Sequence, residues 1–413
     1  MLQPLKNVVV LGGSYVGLAA VGELAAALPA SHRILLVEPH SHFHHLFAFP
    51  RFAVLPDHEH KAFIPYTAAF SKSSDPSRHQ VIQARAKSLR PNSVILDREW
   101  QGSGEIPFEY LVVTTGTRLP SPGTMPGDDK PSSVDTLRAH QQAVQKASSV
   151  ILIGGGAVGV QMATDLKEIY PEKEVTLVHS REHLMPLYHT KLDEIIKARF
   201  EELGIKYAHI PNIPSRSQQS LTFDLRLITG SRAVIPPGGL ASQTSVKLQD
   251  GRELSADLII PATGQTPNNQ FLQDLKQTGD APLVNPANGF IKVRPTLQFQ
   301  DPAYSHMFAA GDIADSGAHK AARPGAGQAK VVAQNILAMI NGQEPTEHIV
   351  VTPPAIHLSL GLKKNFVFRN PDVAAGQTEP AVVPREEGTA DMNIEGVWER
   401  RGVRVTDPRE YHL

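Results

Sequence analysis

Two glycine-rich turns of the same pattern constrain this chain more than any other feature. Each turn follows a short apolar run and opens a segment with helical apolar spacing, which predicts a buried parallel strand, a tight turn and a helix. In such a turn the glycines let the backbone approach a pyrophosphate, which binds the amides of the helix N-terminus. The two segments are Val8-Val9-Val10-Leu11-Gly12-Gly13-Ser14-Tyr15-Val16-Gly17 and Val150-Ile151-Leu152-Ile153-Gly154-Gly155-Gly156-Ala157-Val158-Gly159.

A second strand follows each helix, and the residue at the end of this strand differs between the two units. Glu38 ends this strand after the first turn, where a carboxylate can accept hydrogen bonds from both ribose hydroxyls of an adenosine. His179 stands at the corresponding position after the second turn. Two turns of this kind in one chain predict two bound nucleotides, usually a flavin and a nicotinamide.

Length and composition exclude several other classes of protein. A chain of 413 residues is too long for one ordinary core and predicts two or three domains. The formal net charge of −1 argues against a nucleic-acid-binding protein. The chain has no cysteine, so it can form no disulfide and no thiolate nucleophile or Cys-based metal site. An internal dithiol relay, as in thioredoxin or glutathione reductases, is therefore excluded.

The motif order predicts an α/β fold with two Rossmann-like dinucleotide-binding domains and a small C-terminal α+β region. Thr114-Thr115-Gly116 ends a buried strand of the first unit, and Ala262-Thr263-Gly264 repeats that ending in the second. We expect the first dinucleotide-binding domain at 1–120 and 288–348, with the second at 121–287 between its two segments. Residues 349–413 are Pro-rich and weakly periodic, and they would form the C-terminal domain.

This order of motifs, closed by Gly311-Asp312, resembles the two-dinucleotide-domain flavoproteins. Within them the chain looks most like the apoptosis-inducing-factor-like branch, which includes ferroptosis-suppressor-type NAD(P)H:quinone reductases, and it looks closest to fungal members. The resemblance covers roughly residues 6–340. It implies non-covalent FAD in the first domain, NAD(P)H in the second, and a quinone-like or small aromatic acceptor.

The resemblance and the residues together give a set of candidate FAD contacts. Asp312 would bond a ribityl hydroxyl, and Arg51, after a His- and Phe-rich stretch, would support the pyrophosphate or serve only as a surface ion pair. Lys320 is a catalytic candidate, because similar flavoproteins carry a lysine near the reactive end of the flavin. The expected cofactor-binding residues of this domain are Gly12, Gly13, Ser14, Tyr15, Val16, Gly17, Glu38, Arg51, Ala86, Gly116, Gly311 and Asp312.

The candidate nicotinamide site keeps its glycines but departs from the family at two acids. Family members commonly have Glu where this chain has Gln161, the second catalytic candidate, which keeps hydrogen-bonding capacity without the charge. His179 replaces the acid that would repel a 2′-phosphate, so we expect use of NADPH or of both nucleotides. The expected contacts are Gly154, Gly156, Gly159, His179, Arg181 and Gly264. Arg181 and Ser180, with or without His179, would bind the 2′-phosphate.

The remaining expectations concern partners and alternatives. No metal is expected, although histidines cluster between His40 and His60, because no H-E-x-x-H spacing occurs. We expect a monomer or homodimer in the cytoplasm, with or without peripheral contact with a membrane. Two alternatives stay open. One is a flavoenzyme of specialised metabolism that oxidises or cyclises a bound intermediate with little use of NAD(P)H. The other is a redox-sensing or cell-death effector.

Overall fold

The computed structural model describes residues 4–203, 225–235, 243–279 and 282–413. Two parallel sheets with flanking helices form the body of the molecule, and a small antiparallel sheet follows near the C-terminus. The α-helices of the described part are α1 (Tyr15–Ala27), α2 (Phe49–Phe52), α3 (Lys130–Lys146), α4 (Ala157–Ile169), α5 (Lys191–Glu202), α6 (Ala322–Ile340) and α7 (Ile394–Arg400).

The first sheet is parallel and is covered on both faces. Its central strand carries Val9 and Leu11 on one face and Val8 and Val10 on the other, and each of these side chains is at most 1% exposed. Burial on both faces is typical of parallel sheets and explains the continuous apolar run. In spatial order the strands are Met307–Ala309, Tyr110–Val113, Lys6–Leu11, His32–Glu38 and Gln80–Gln83.

The second sheet repeats this arrangement. Its strand before the second glycine-rich turn lies between the strand that follows α4 and the strand that ends near Thr263-Gly264, as in the first sheet. Two Rossmann-like units were predicted, and this prediction is confirmed. The order across this sheet is Leu225–Ile228, Glu174–Val178, Ser149–Ile153 and Leu258–Pro261.

Smaller sheets lie beside these units. One strand ends at Gln83 and another starts at Ala86, and between them the Arg85 amide donates to Asp97. The segment 40–50, which follows Glu38 and Pro39, contains a short strand and the start of α2. One small sheet has three strands, Ala86–Arg90, Ser93–Trp100 and Ser103–Pro107. The two-stranded sheets are His42–His44 with Phe63–Pro65, Thr117–Arg118 with Thr266–Pro267, Ser245–Lys247 with Glu253–Ser255, and Ile291–Lys292 with Ala314–Asp315.

The C-terminal region forms an antiparallel sheet that packs against the second unit. Leu358 and Phe368 on this sheet are at most 2% exposed and join the same core cluster as Val160 and Leu166 of α4. Trp398 of α7 is fully buried against the first unit, where its indole N–H donates to the Lys61 carbonyl. The strands are Ala355–Ser359, Asn365–Arg369 and Ala381–Arg385. Among the described residues, no helix is long and apolar enough to cross a membrane.

Candidate active site

A single large cavity connects the N-termini of α1 and α4. Its volume is about 2390 Å³. A pocket for one small ligand usually measures about 300–1000 Å³, so this cavity has room for more than one. Both parallel sheets point the carboxyl ends of their strands toward it, which is where ligands bind in open α/β folds. The C-terminal sheet contributes a third wall, including Ile356 and Val367.

The first glycine-rich turn leaves the start of α1 open to this cavity. Gly12 has a φ of 98°, and a Cβ there would lie 2.6 Å from the Thr114 carbonyl oxygen. Ser14 is the N-cap of α1, but its hydroxyl caps no amide of the helix and faces the cavity. The first amides of α1 and the Ser14 hydroxyl are therefore able to bind an anionic pyrophosphate.

Glu38 lies beside this turn, as its predicted role requires. Its carboxylate accepts a hydrogen bond from the Gly13 amide at 2.5 Å and another from the His40 amide at 2.9 Å. The side chain also lines the cavity. A carboxylate has about four acceptor sites, so Glu38 can hold the turn and still accept from ribose hydroxyls.

His179 holds the second turn as Glu38 holds the first, and this corrects its predicted role. Its Nδ1 accepts from the Gly155 amide at 3.0 Å, and its Nε2–H faces the His183 carbonyl oxygen at 3.1 Å. Burial lowers the pKa of His179, so the ring is neutral at pH 7. A neutral ring with both nitrogens engaged is not a ligand for a 2′-phosphate, and the exposed Arg181 keeps that predicted role with Ser180.

Arg51 forms an ion pair, the second of the two roles expected for it, but this pair is buried and not at the surface. The side chain is 1% exposed, and its Nε donates to Asp165 of α4 at 2.6 Å. Its terminal nitrogens donate to the carbonyl oxygens of Thr389 and Gly361. The guanidinium therefore ties the first unit to α4 and the C-terminal region instead of supporting a pyrophosphate. All of these partners are distant from Arg51 in sequence, so no local motif predicts the contacts.

Asp312 and Lys320 lie on the cavity wall near the end of the first sheet. Among the described residues, the Asp312 carboxylate has no hydrogen-bond partner, and burial raises its pKa while Lys320 opposes that shift. A free, half-buried carboxylate fits the predicted bond to a ribityl hydroxyl. Lys320 donates to the Ala314 carbonyl oxygen, and its ammonium lies 4.0 Å from the centre of the Phe290 ring.

Gln161 lies in α4 on the cavity wall, close to the second glycine-rich turn. Its amide nitrogen is 3.7 Å from the sulfur of Met392, a weak acceptor. The other predicted contacts fall into two groups. Several line the cavity directly, namely Tyr15, Val16, Ala86, Gly116, Gly156 and Gly264. Others shape the turns beneath it, namely Gly17, Gly154, Gly159 and Gly311.

Two residues that were not among the predicted contacts shape the first turn. The Tyr66 hydroxyl donates to the Gly13 carbonyl oxygen at 3.0 Å, and the Thr114 hydroxyl lies 2.8 Å from the Leu11 carbonyl oxygen. Thr114 could have been found, because it belongs to the Thr-Thr-Gly motif. Within the described ranges, no three His, Asp or Glu side chains converge on a metal site.

Comparisons with known proteins agree with this geometry. Residues 6–334 match the family model described as pyridine nucleotide-disulphide oxidoreductase. The chain is 35% identical to Fe-regulated protein 8 of Mycosarcoma maydis over 97% of this chain and 96% of that protein. It is 27% identical to mouse ferroptosis suppressor protein 1, covering 87% of each chain. The sulfide:quinone oxidoreductase of Aquifex aeolicus has the same fold, with a TM-score of 0.70 at 18% identity, over 98% of this chain and 94% of that one.

Proposed function

Because the chain belongs to the pyridine nucleotide-disulphide oxidoreductase family, we propose that it is an FAD-dependent oxidoreductase that passes reducing equivalents from NAD(P)H to a quinone-like or small aromatic acceptor. The observation that carries this proposal is the cavity of about 2390 Å³ that joins both glycine-rich turns to Asp312 and Lys320. Bound FAD would supply the two-electron chemistry between the nicotinamide and the acceptor.

Each of the two units would bind one nucleotide. The open amides of α1, with Ser14, would hold the pyrophosphate of FAD, while Glu38 and Asp312 accept from its hydroxyl groups. The open N-terminus of α4 at Gly156 would hold the pyrophosphate of NAD(P)H. Lys320 would place a positive charge beside the reduced cofactor. The chain has no cysteine, so the disulphide in the family's description has no counterpart in this reaction.

An anaerobic titration of the purified holoprotein tests this function. We expect a flavin absorption spectrum in the protein, bleaching of that spectrum by NADPH, and its return on addition of a quinone. The control is a matched sample titrated with oxidised NADP⁺, which should not bleach it. The proposal fails if the protein binds no flavin, or if neither NADPH nor NADH bleaches it.

We propose NADPH as the preferred nucleotide, because His179 removes the carboxylate that would repel a 2′-phosphate. The variant His179→Glu should shift the NADH-to-NADPH ratio of kcat/KM toward NADH by at least about tenfold, since like charges in contact cost more than 1 kcal/mol. His179→Gln is the matched control, because an amide can still accept from the Gly155 amide without charge. An unchanged ratio in His179→Glu would contradict this assignment.

A second candidate is a flavoenzyme that oxidises a bound intermediate with little use of NAD(P)H. The contact of Gln161 with Met392 favours it, because the amide lies against a thioether where family members commonly carry a glutamate. In that case, bleaching would require the organic substrate and would proceed without any nicotinamide nucleotide.

A further inference from the structure

Tyr188 and His319 form a hydrogen-bonded pair on the cavity wall. Tyr188 lies in the loop before α5 of the second unit, and His319 precedes Lys320 in the first. The Tyr188 hydroxyl is 3.1 Å from the Nε2 of His319, and the two rings meet edge to face at 5.6 Å. Both side chains line the cavity. The pair therefore joins the two nucleotide-binding units at a point that neither glycine-rich turn reaches.

The other ring nitrogen of His319 decides which atom carries the proton. The Nδ1 atom is buried and has no hydrogen-bond partner among the described residues. A buried N–H without an acceptor is rarer and costlier than an acceptor without a donor. The favoured tautomer thus carries its proton on Nε2, which donates to the Tyr188 oxygen. Tyr188 then has its own O–H free to donate toward the cavity.

The surroundings of Tyr188 are apolar and hold its loop in place. Its ring packs edge-on against Phe368 at 6.1 Å, and the cross-strand partner of Phe368 is Ile356, which lines the cavity. Asn370 fixes the loop on both sides, because it accepts from the His189 amide and donates to the Leu187 carbonyl oxygen. The Tyr188 hydroxyl is therefore a fixed donor on an apolar wall, which is the form of a small-molecule site.

We propose that the Tyr188 hydroxyl, oriented by His319, is the hydrogen-bond donor that holds a carbonyl oxygen of a quinone-class acceptor in this cavity. This inference rests on the proposed function and gives the place where its electron acceptor binds. Burial raises the pKa of Tyr188 and lowers that of His319, so both groups are neutral at pH 7. A neutral donor on an apolar wall matches an uncharged aromatic carbonyl and gives no attraction to an anion.

Equilibrium dialysis of the oxidised holoprotein, without any nicotinamide nucleotide, tests the site. The probes are 1,4-naphthoquinone and naphthalene, which differ by the two carbonyl groups. We expect the wild type to bind the quinone more tightly, and Tyr188→Phe to lose about tenfold in quinone affinity but little in naphthalene affinity. Tyr170→Phe is the matched control, because it removes a hydroxyl that donates to the Val54 carbonyl oxygen away from the cavity.

The outcomes separate this site from the function on which it rests. If the wild type binds both probes equally, or Tyr188→Phe keeps the full preference for the quinone, the site is overturned. If Tyr188→Phe does not fold, His319→Leu tests the same pair, and an undiminished preference in that variant overturns it as well. Bleaching by NADPH is measured on the same samples. Its absence from the wild type contradicts the proposed function, whereas its loss is not expected in Tyr188→Phe.

Discussion

Gly17→Ala is expected to yield protein without flavin, whereas Gly159→Ala should keep its flavin and lose reduction by NADPH. The two glycines occupy the same position in the first turn of α1 and of α4. A Cβ at Gly17 would collide with the Gly12 carbonyl oxygen, and one at Gly159 with the Gly154 carbonyl oxygen, both closer than real Cβ atoms approach. Each alanine must push the helix away from its glycine-rich turn, so the amides that hold the pyrophosphate move with it.

Overpacking of this kind costs about 1–3 kcal/mol, which corresponds to a loss of about 5- to 150-fold in nucleotide affinity. The measurements are the flavin-to-protein absorbance ratio after purification and the rate of anaerobic bleaching by NADPH. Gly22→Ala is the control in α1, because the nearest atom to its added Cβ is the Lys72 side chain at 3.6 Å. Loss of flavin from Gly159→Ala, with its retention in Gly17→Ala, would reverse the assignment of the two sites.

The sequence predicts the two nucleotide-binding units well because their signals are local. An apolar run, a turn that only glycine can make and a helical stripe occur within a few residues of each other, so the helix predicted after each turn is present, as α1 and α4. The C-terminal sheet is harder to predict, because its strands are partly exposed. Val383, for example, is 49% exposed, and an alternating apolar pattern is correspondingly weak there.

Arg51 and His179 are held by contacts that the sequence does not indicate. Arginine and histidine side chains both bind anions, and both residues lie in the sequence near a glycine-rich turn or within the first unit. Residue type and sequence position alone therefore favour phosphate binding. What decides their roles is a partner elsewhere in the fold. The Asp165 carboxylate forms an ion pair with Arg51, and the Nδ1 of His179 accepts a hydrogen bond from the Gly155 amide. Such partners appear only when the units are packed together.

The buried histidines predict a second large effect, a loss of stability in mild acid. Burial is the largest cause that lowers the pKa of His45 to about 3, of His60 to about 4 and of His79 to about 4. In the unfolded chain a histidine has a pKa of 6.5. These three rings therefore stay neutral in the folded protein, while the unfolded chain takes up a proton at each of them as the pH falls below about 6.5.

The contacts of these rings explain why they resist protonation. The Nδ1 of His79 accepts from the Ile34 amide, and the Nδ1 of His45 is 2.8 Å from the Tyr15 hydroxyl. His60 stacks on His412 with the ring centres 4.2 Å apart, so two protonated rings at this place would repel each other. Stability from these groups is fully present above pH 6.5 and is lost as the pH falls toward their folded pKa values.

The expected size of the effect follows from proton linkage. His45 and His79 are buried and each cost about 1.4 kcal/mol per pH unit below 6.5, whereas His60 is partly exposed and contributes less, so the free energy of unfolding should fall by about 3 kcal/mol between pH 7.5 and pH 5.5. Urea denaturation at several pH values measures it. The variant with His45, His60 and His79 all replaced by Gln should be less stable at pH 7.5 and should show a clearly smaller slope over this range, because the share of these three rings is gone while other buried histidines such as His44 still contribute. His348→Gln, at an exposed position, should keep the full slope. A wild-type stability that does not change between pH 7.5 and 5.5 would show that these rings are protonated in the folded protein.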